Sequence, residues 1–235
     1  MRVLVLTGAG ISAESGLPTF RDAAGLWEGH DPMQVATPEA YAADPDLVHR
    51  FYDERRAALG RVEPNAAHRA LARLEERLGD DLLVVTQNVD DLHERAGSRN
   101  VVHMHGRLRA AWCTSCDAHH DWTGPLGDRP PCPTCGQRAL RPDVVWFGEV
   151  PHGMEHIEES LWACDLFVSI GTSGLVYPAA AFVQYAAARG TDTLELNLDA
   201  SDASGDFAES RRGPATRLVP EWVDEVLAAG DLGPE

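Results

Sequence analysis

Residues 8–27 read GAGISAESGLPTFRDAAGLW, directly after the apolar run VLVL at 3–6. Gly8, Ala9, Gly10, Ile11, Ser12 and Ala13 fit the pattern G-x-G-x-x-A behind a strand. Glycines there allow a tight turn and let backbone N–H groups approach a pyrophosphate. Taken alone, the pattern also fits a plain strand-to-helix turn. The residues that follow set this loop apart from an ordinary dinucleotide site, which places a second strand and an acidic ribose-binding residue about 20 residues on. Here that region is GLWEGHDPMQVATPEAY, residues 25–41, and it holds no strand pattern. The next strand-like run, DLLVVT, begins at residue 81. Helical material is therefore expected between the first two strands. A polar loop over 15–27, with Arg21 and Asp22, is positioned to close over the nicotinamide end of a dinucleotide. This argues against hydride transfer.

Outward from the loop, residues 38–59 and 65–78 carry helical patterns, the second with Ala67, Ala70, Leu71, Leu74 and Leu78 at helical spacing. Strand-like runs recur at 81–86, 101–104, 166–170 and 193–198, with a helical stretch over 182–188. Strands alternating with helices predict an α/β fold, a Rossmann-like parallel sheet with helices on both faces. One domain over 1–235 is expected to hold a large part at 1–28, 79–106 and 142–235, a helical insertion at 29–78 and a small module at 107–141. The tail after Leu227 is expected to fray.

With 44% apolar residues in 235, the chain is able to bury a core, and no run approaches the roughly 18 apolar residues of a membrane helix. Its start, MRVLVLTGAG, reads as a first strand rather than a signal peptide, so a cytoplasmic protein is expected. The net charge of −17 repels phosphate backbones, and no direct nucleic-acid binding is expected. All 20 basic residues are Arg; the chain contains no Lys.

Cys113, Cys116, Cys132 and Cys135 form C-x2-C-x15-C-x2-C within a Pro- and Gly-containing segment of little apolar periodicity. Two such knuckles present four thiolates tetrahedrally, which predicts one structural zinc standing in for the core this module lacks. Neighbouring His119 and His120 are competing ligands in principle, but four cysteines already close a structural site. Cys164 reads as a small buried residue.

GAGISAESGLPTFRD, TQNVD, HMHGRL, the four cysteines, RPDVVWFGE, GTSGLVYPAA and LNLD occur here in one order. In these motifs the chain resembles the sirtuins, NAD-dependent protein lysine deacylases, and most closely the bacterial desuccinylating and demalonylating class. The resemblance implies that Gly8, Ala9, Gly10, Ile11 and Ser12 hold the pyrophosphate, with Glu14 beside them. Phe20, Arg21, Asp22 and Trp27 would belong to a loop that orders around NAD. Gln87, Asn88, Val89 and Asp90 would line the nicotinamide and ribose pocket, Asn88 and Asp90 with catalytic roles. Gly171, Thr172, Ser173, Asn197, Leu198, Asp199 and Ala215 would form the adenosine side, although 197–199 also reads as an ordinary strand-ending turn.

His103 and His105 share a face if their strand continues, with Met104 opposite. A lone histidine is commonly structural, but by resemblance His105 is the general base, a task suited to an imidazole near neutral pH. The family's chemistry then follows as an expectation. The acyl-lysine oxygen attacks the ribose carbon bearing nicotinamide, giving an alkylimidate; His105 helps deprotonate a ribose hydroxyl that attacks it. Nicotinamide leaves as the alkylimidate forms, water then releases free lysine and 2'-O-acyl-ADP-ribose, and NAD is consumed.

Tyr52 and Arg55 lie three apart on a helical stretch and so share a face; by spacing alone they read as a half-buried Tyr and a solvated Arg. The resemblance makes them the pair that recognises a distal acyl carboxylate, with Ala36 leaving room for the longer chain. Acylated-lysine peptide would enter between 144–149, with Val144, Phe147, Gly148 and Glu149, and the segment holding Val176. Trp146 and Phe147 also suit core packing. Mono-ADP-ribosyl transfer and an NAD-sensing binding module stay open beside succinyl, malonyl and acetyl removal.

Overall fold

The computed structural model of the protein describes residues 1–18 and 29–231. Phe20, Arg21, Asp22 and Trp27 lie outside the described residues. Six parallel strands form the main sheet: β1 (Val3–Thr7), β2 (Leu82–Thr86), β3 (Val101–His103), β7 (Leu166–Ile170), β8 (Asp192–Asn197) and β9 (Glu209–Arg212). Their order is β3-β2-β1-β7-β8-β9, so the strand order reverses between β1 and β7. Open α/β sheets bind ligands at that switch point, beyond the carboxyl ends of the strands.

Alternation along β1 builds both faces. Val3 and Val5 face helices α4 (Ala66–Leu78) and α8 (Ala215–Asp231), through Ala67, Leu71, Leu74, Val219, Trp222 and Val223. Leu4 and Leu6 face α6 (Met154–Ala163) and α7 (Phe182–Ala188), through Ile157, Leu161, Phe182, Val183 and Ala186. β1 and β2 are buried along their whole length, as strands covered on both sides must be. Helix α4, counted at sequence level with the insertion, thus covers the main sheet.

The insertion itself is α1 (Pro32–Val35), α2 (Pro38–Ala43) and α3 (Pro45–Leu59). The single helical stretch expected over 38–59 is interrupted at Asp44-Pro45. A proline cannot donate to the preceding turn and disfavours helical geometry in its predecessor, and Asp44 is non-helical, with φ −144 and ψ 78, and caps α3 instead. A three-stranded antiparallel sheet, β5-β4-β6, joins this insertion to the cysteine module: β4 (Gly106–Cys113), β5 (His119–Asp121) and β6 (Leu140–Val144). Near the end of the chain the frayed tail does not begin at Leu227, because α8 runs on to Asp231, with Val226 and Leu227 packed against the core. Helix α5 (Leu92–Ala96) connects β2 to β3. No helix among the described residues is long and apolar enough to cross a membrane.

Candidate active site

Two loops meet at the switch point. Gly8 N–H donates to the Ile170 carbonyl at 3.0 Å and Gly10 N–H to the Gly171 carbonyl at 2.9 Å. A Cβ on Gly10 would lie 2.7 Å from Gly171 Cα, and one on Gly8 would lie 2.8 Å from Gly171 O. These glycines therefore let two backbone turns touch, and two of the N–H groups expected to hold a pyrophosphate are engaged within the protein. Gly171 itself has φ +63, the left-handed region that favours glycine.

Behind the loop sits a buried polar cluster. Ser12, Asn88 and Asp90 are 2%, 8% and 6% exposed, so their polar groups need partners. Ser12 Oγ donates to Asp90 Oδ2 at 3.0 Å and accepts from Asn88 Nδ2 at 3.3 Å. Asn88 Nδ2 also reaches the Gly8 carbonyl at 3.1 Å. His68 Nδ1 accepts from Asn65 N–H, which leaves the proton on Nε2, 3.4 Å from Ser12 Oγ. Burial pushes the Asp90 carboxyl up, against the bonds from Leu92 N–H and Ser12. Sequence reasoning missed His68, and with it His93, whose Nε2 lies 3.0 Å from Thr7 Oγ1. Asn65 and His68 at cap spacing were the available signal: they form a reciprocal cap at the start of α4.

His105 does not share a strand face with His103, since β3 ends at His103 and Gly106 turns the chain with φ +79. Each imidazole is held by a carbonyl of the β2–α5 loop: His103 Nδ1 by Asn88 O at 3.1 Å and His105 Nδ1 by Gln87 O at 3.2 Å. A carbonyl only accepts, so His105 carries its proton on Nδ1 and its lone pair on Nε2. Burial holds His105 below the ordinary imidazole range, opposed by the Gln87 carbonyl and reinforced by His152. Val89 fastens the same loop to the small sheet, its carbonyl accepting from Leu108 N–H at 2.8 Å.

At the ends of β7 and β8, Asn197 Nδ2 donates to the Thr172 carbonyl at 2.7 Å, and Thr172 Oγ1 meets Ser169 Oγ at 2.8 Å. Ser173 O accepts from Asp202 N–H. Leu198 is 64% exposed and Asp199 is exposed beside it. Ala215 opens α8, where Glu14 caps the helix: its carboxylate accepts from Thr216 N–H at 3.0 Å and from Thr216 Oγ1 at 2.7 Å. The cap gives Glu14 a structural task at this spot.

Ala36, Tyr52, Val144 and Trp146 share one buried cluster, against which Val89 also packs. Tyr52 is fully buried and its oxygen accepts from Trp146 Nε1 at 3.0 Å; burial pushes its phenol up, so it keeps its proton as a donor. Arg55 is buried as well, one N–H on the Phe51 carbonyl at 2.6 Å and the guanidinium 3.1 Å from the Phe51 ring centre. The solvated Arg and half-buried Tyr that spacing alone suggested are not what the chain forms. Phe147, 43% exposed, donates its N–H to the Ala36 carbonyl at 2.9 Å, and Gly148 follows with φ +90. Glu149 is engaged in a two-pronged ion pair with Arg141, 2.7 and 2.9 Å, and accepts from Trp146 N–H at 2.8 Å. Arg141 in turn stacks on the Trp146 ring at 3.4 Å. Val176 lies across the site in the loop after β7, half-buried.

The thiols of Cys113, Cys116, Cys132 and Cys135 lie within 4.8 Å of one another. Cys113–Cys135 and Cys116–Cys132 are 3.7 and 3.8 Å apart. A tetrahedron with zinc–sulfur bonds of about 2.3 Å has edges of about 3.8 Å, so the cluster fits zinc. His120 Nε2 stands 3.3 Å from Cys132 Sγ, a supporting bond to a ligand rather than a fifth ligand. Cys164 is buried apart from them.

A reversed six-stranded parallel sheet, a glycine turn at its switch point and a four-thiolate module define a Rossmann-like nucleotide-binding domain with a structural metal site. Residues 8–178 match the Sir2 family, and the chain belongs to it. It is 54% identical over 230 residues to the NAD-dependent protein deacylase of Pasteurella multocida (strain Pm70), covering 97% of this chain and 98% of that one. Among solved structures, a Sir2 homologue mutant in complex with ADP-ribose has a TM-score of 0.91 at 40% identity, covering 100% of this chain and 95% of the other. A Sir2 homologue–NAD complex has 0.88 at 41% identity, covering 97% and 90%.

Proposed function

We propose that the chain is an NAD-dependent protein lysine deacylase that takes succinyl and malonyl groups and also acetyl. The observation that carries this reading is His105. Its tautomer presents a lone pair on Nε2, and burial keeps it unprotonated at neutral pH, as a general base requires. A module that merely sensed NAD would have no use for such a base. NAD serves as co-substrate; Gly8 to Ser12 and Asn197 flank its place at the switch point, while Ser12, Asn88 and Asp90 form a ready-made polar wall.

The acidic-acyl preference is supported by a buried guanidinium and a buried phenol one helical turn apart, with small Ala36 in the same cluster. The four cysteines hold zinc as a structural ion. The net charge of −17 supports protein rather than nucleic-acid partners, and a cytoplasmic setting suits the free thiols.

Mass spectrometry of matched acetyl-, malonyl- and succinyl-lysine peptides, with and without NAD, tests the reading. Acyl loss only with NAD, and its near-abolition in His105→Ala with NAD binding retained, is the expected result. Nicotinamide release without acyl-ADP-ribose would instead mark ADP-ribosyl transfer.

A further inference from the structure

Next to the turn that carries His105 stand three side chains to which deacylation assigns no part. Asp143 on β6 lies between two histidines: Oδ2 is 2.8 Å from His119 Nδ1 and Oδ1 is 3.5 Å from His152 Nε2. The aspartate side chain is 13% exposed, the two histidines 51% and 46%. His119 also stacks on Trp112, which fixes its ring.

The backbone fastens this cluster to the base. His152 N–H donates to the carbonyl of Met104, and Val145 N–H donates to the carbonyl of His105, both at 2.9 Å. Gly106 packs so closely on the Asp143 carbonyl that a Cβ there would collide with it. Backbone contacts thus tie the segments that carry Asp143 and His152 to the two sides of the His105 turn.

We infer that Asp143 keeps His152 cationic beside His105, and that this fixed charge sets the acid limb of the deacylation reaction. The inference rests on His105 being the base. His152 is then a positioning residue acting through charge, and Asp143 is the group that holds its proton. The ion pair with the Asp143 carboxylate raises His152 above the ordinary imidazole value, against burial; Glu149 adds to the rise and Arg141 opposes it. Among the described residues, these, with His119 and His105, are the charged and titratable groups that face His152. His105 is held down by burial and, in addition, by His152. The order of titration follows from the two directions. As the pH falls, His152 is already charged when His105 begins to take a proton, and the like charge resists that second proton. The base therefore stays competent further into the acid range than burial alone would allow.

The test combines the pH profile of kcat/KM with an NMR titration of the His105 ring, in wild type, His152→Leu, Asp143→Asn and His152→Lys. In His152→Leu and Asp143→Asn, the acid limb and the His105 titration should both move up by about half a pH unit. That is roughly threefold lower efficiency well below the limb. His152→Lys restores a permanent cation and should keep the wild-type limb; high salt should shrink the differences because the cluster is half-open to water. A His105 titration unmoved in both charge-removing variants overturns the inference, as does a loss of activity equal at every pH. If the NMR titration shifts while the kinetic limb stays in place, the charge coupling stands, and the claims that it sets the limb and that His105 is the base both fall.

Discussion

Gly10→Ala separates two reasons for the same glycine. If the residue is small so that a pyrophosphate can approach, the substitution should weaken NAD binding and leave the unliganded fold alone. The structure gives the other reason: the added Cβ would stand 2.7 Å from Gly171 Cα and 2.8 Å from Gly171 O, both rigid backbone. Reaching ordinary contact at 3.4 Å needs the two turns to part by about 0.7 Å. The Gly10 N–H to Gly171 bond, now 2.9 Å, would then pass beyond useful length. Overpacking of this kind costs about 1–3 kcal/mol. Losing the bond adds about 0.5–1.5 kcal/mol. At about 2–4 °C per kcal/mol for a chain of this size, Tm of the NAD-free protein should fall by roughly 3–18 °C. Differential scanning calorimetry without NAD reads it directly. A variant with wild-type Tm and weakened NAD binding would refute the loop-contact reasoning and return the glycine to the ligand.

Cys132→Ser should reduce zinc from about one per chain to none by metal analysis and lower Tm; a stable, fully active metal-free wild type would contradict the structural role. Arg55→Met should depress desuccinylation by roughly ten- to 150-fold, the worth of a charge-assisted bond of about 1.5–3 kcal/mol, while sparing deacetylation; an equal loss on both acyl forms would make Arg55 structural. His68 and His93 are held down by burial to about 4 and about 3, so the folded protein keeps them neutral while the unfolded chain protonates them near 6.5. Their contribution to stability is present in full above that value and declines as the pH falls toward the folded values; urea unfolding that is indifferent to pH between 7 and 4 would refute it.

Five strands of the main sheet were legible because they are short, apolar and bounded by glycine or polar turns, and the zinc module because cysteine spacing is a strong signal; the edge strand β9 reads ESRR, is largely exposed and carries no apolar signal. Helix α8 was harder to see: Pro220 interrupts a pattern that Leu218, Val219, Trp222 and Val223 otherwise make plain. The α2–α3 break was available in Asp44-Pro45 and was masked by continuous apolar spacing across it. Site residues divide along a physical line. Motif reading indicates which side chains gather near a ligand, but not which are already engaged by other groups of the protein. Glu149 answers Arg141 and Trp146 N–H, eight and three residues away, and Glu14 caps a helix 202 residues away. The Glu14 pairing leaves no local trace in the chain.

Those engagements bear on how the site works. Each side chain of the Ser12–Asn88–Asp90 wall is oriented by another buried group before any ligand arrives: His68 and Asn88 point at Ser12, Ser12 at Asp90, and Gly8 holds Asn88. His105 is likewise fixed in one tautomer by Gln87. Dipoles already in place need no reorganisation when charge develops beside them, which is where electrostatic catalysis gains most over water. The glycine contact at the switch point serves the same end, since it locks the turn bearing Ser12 against the end of β7. On the proposed reading, rigidity in the floor of the site and acyl selectivity from the Tyr52–Arg55 pair are built on different elements, β1 and α3, and should respond independently to mutation: Gly10→Ala and Arg55→Met combined should show additive losses in desuccinylation, with the succinyl-to-acetyl ratio set by Arg55 alone.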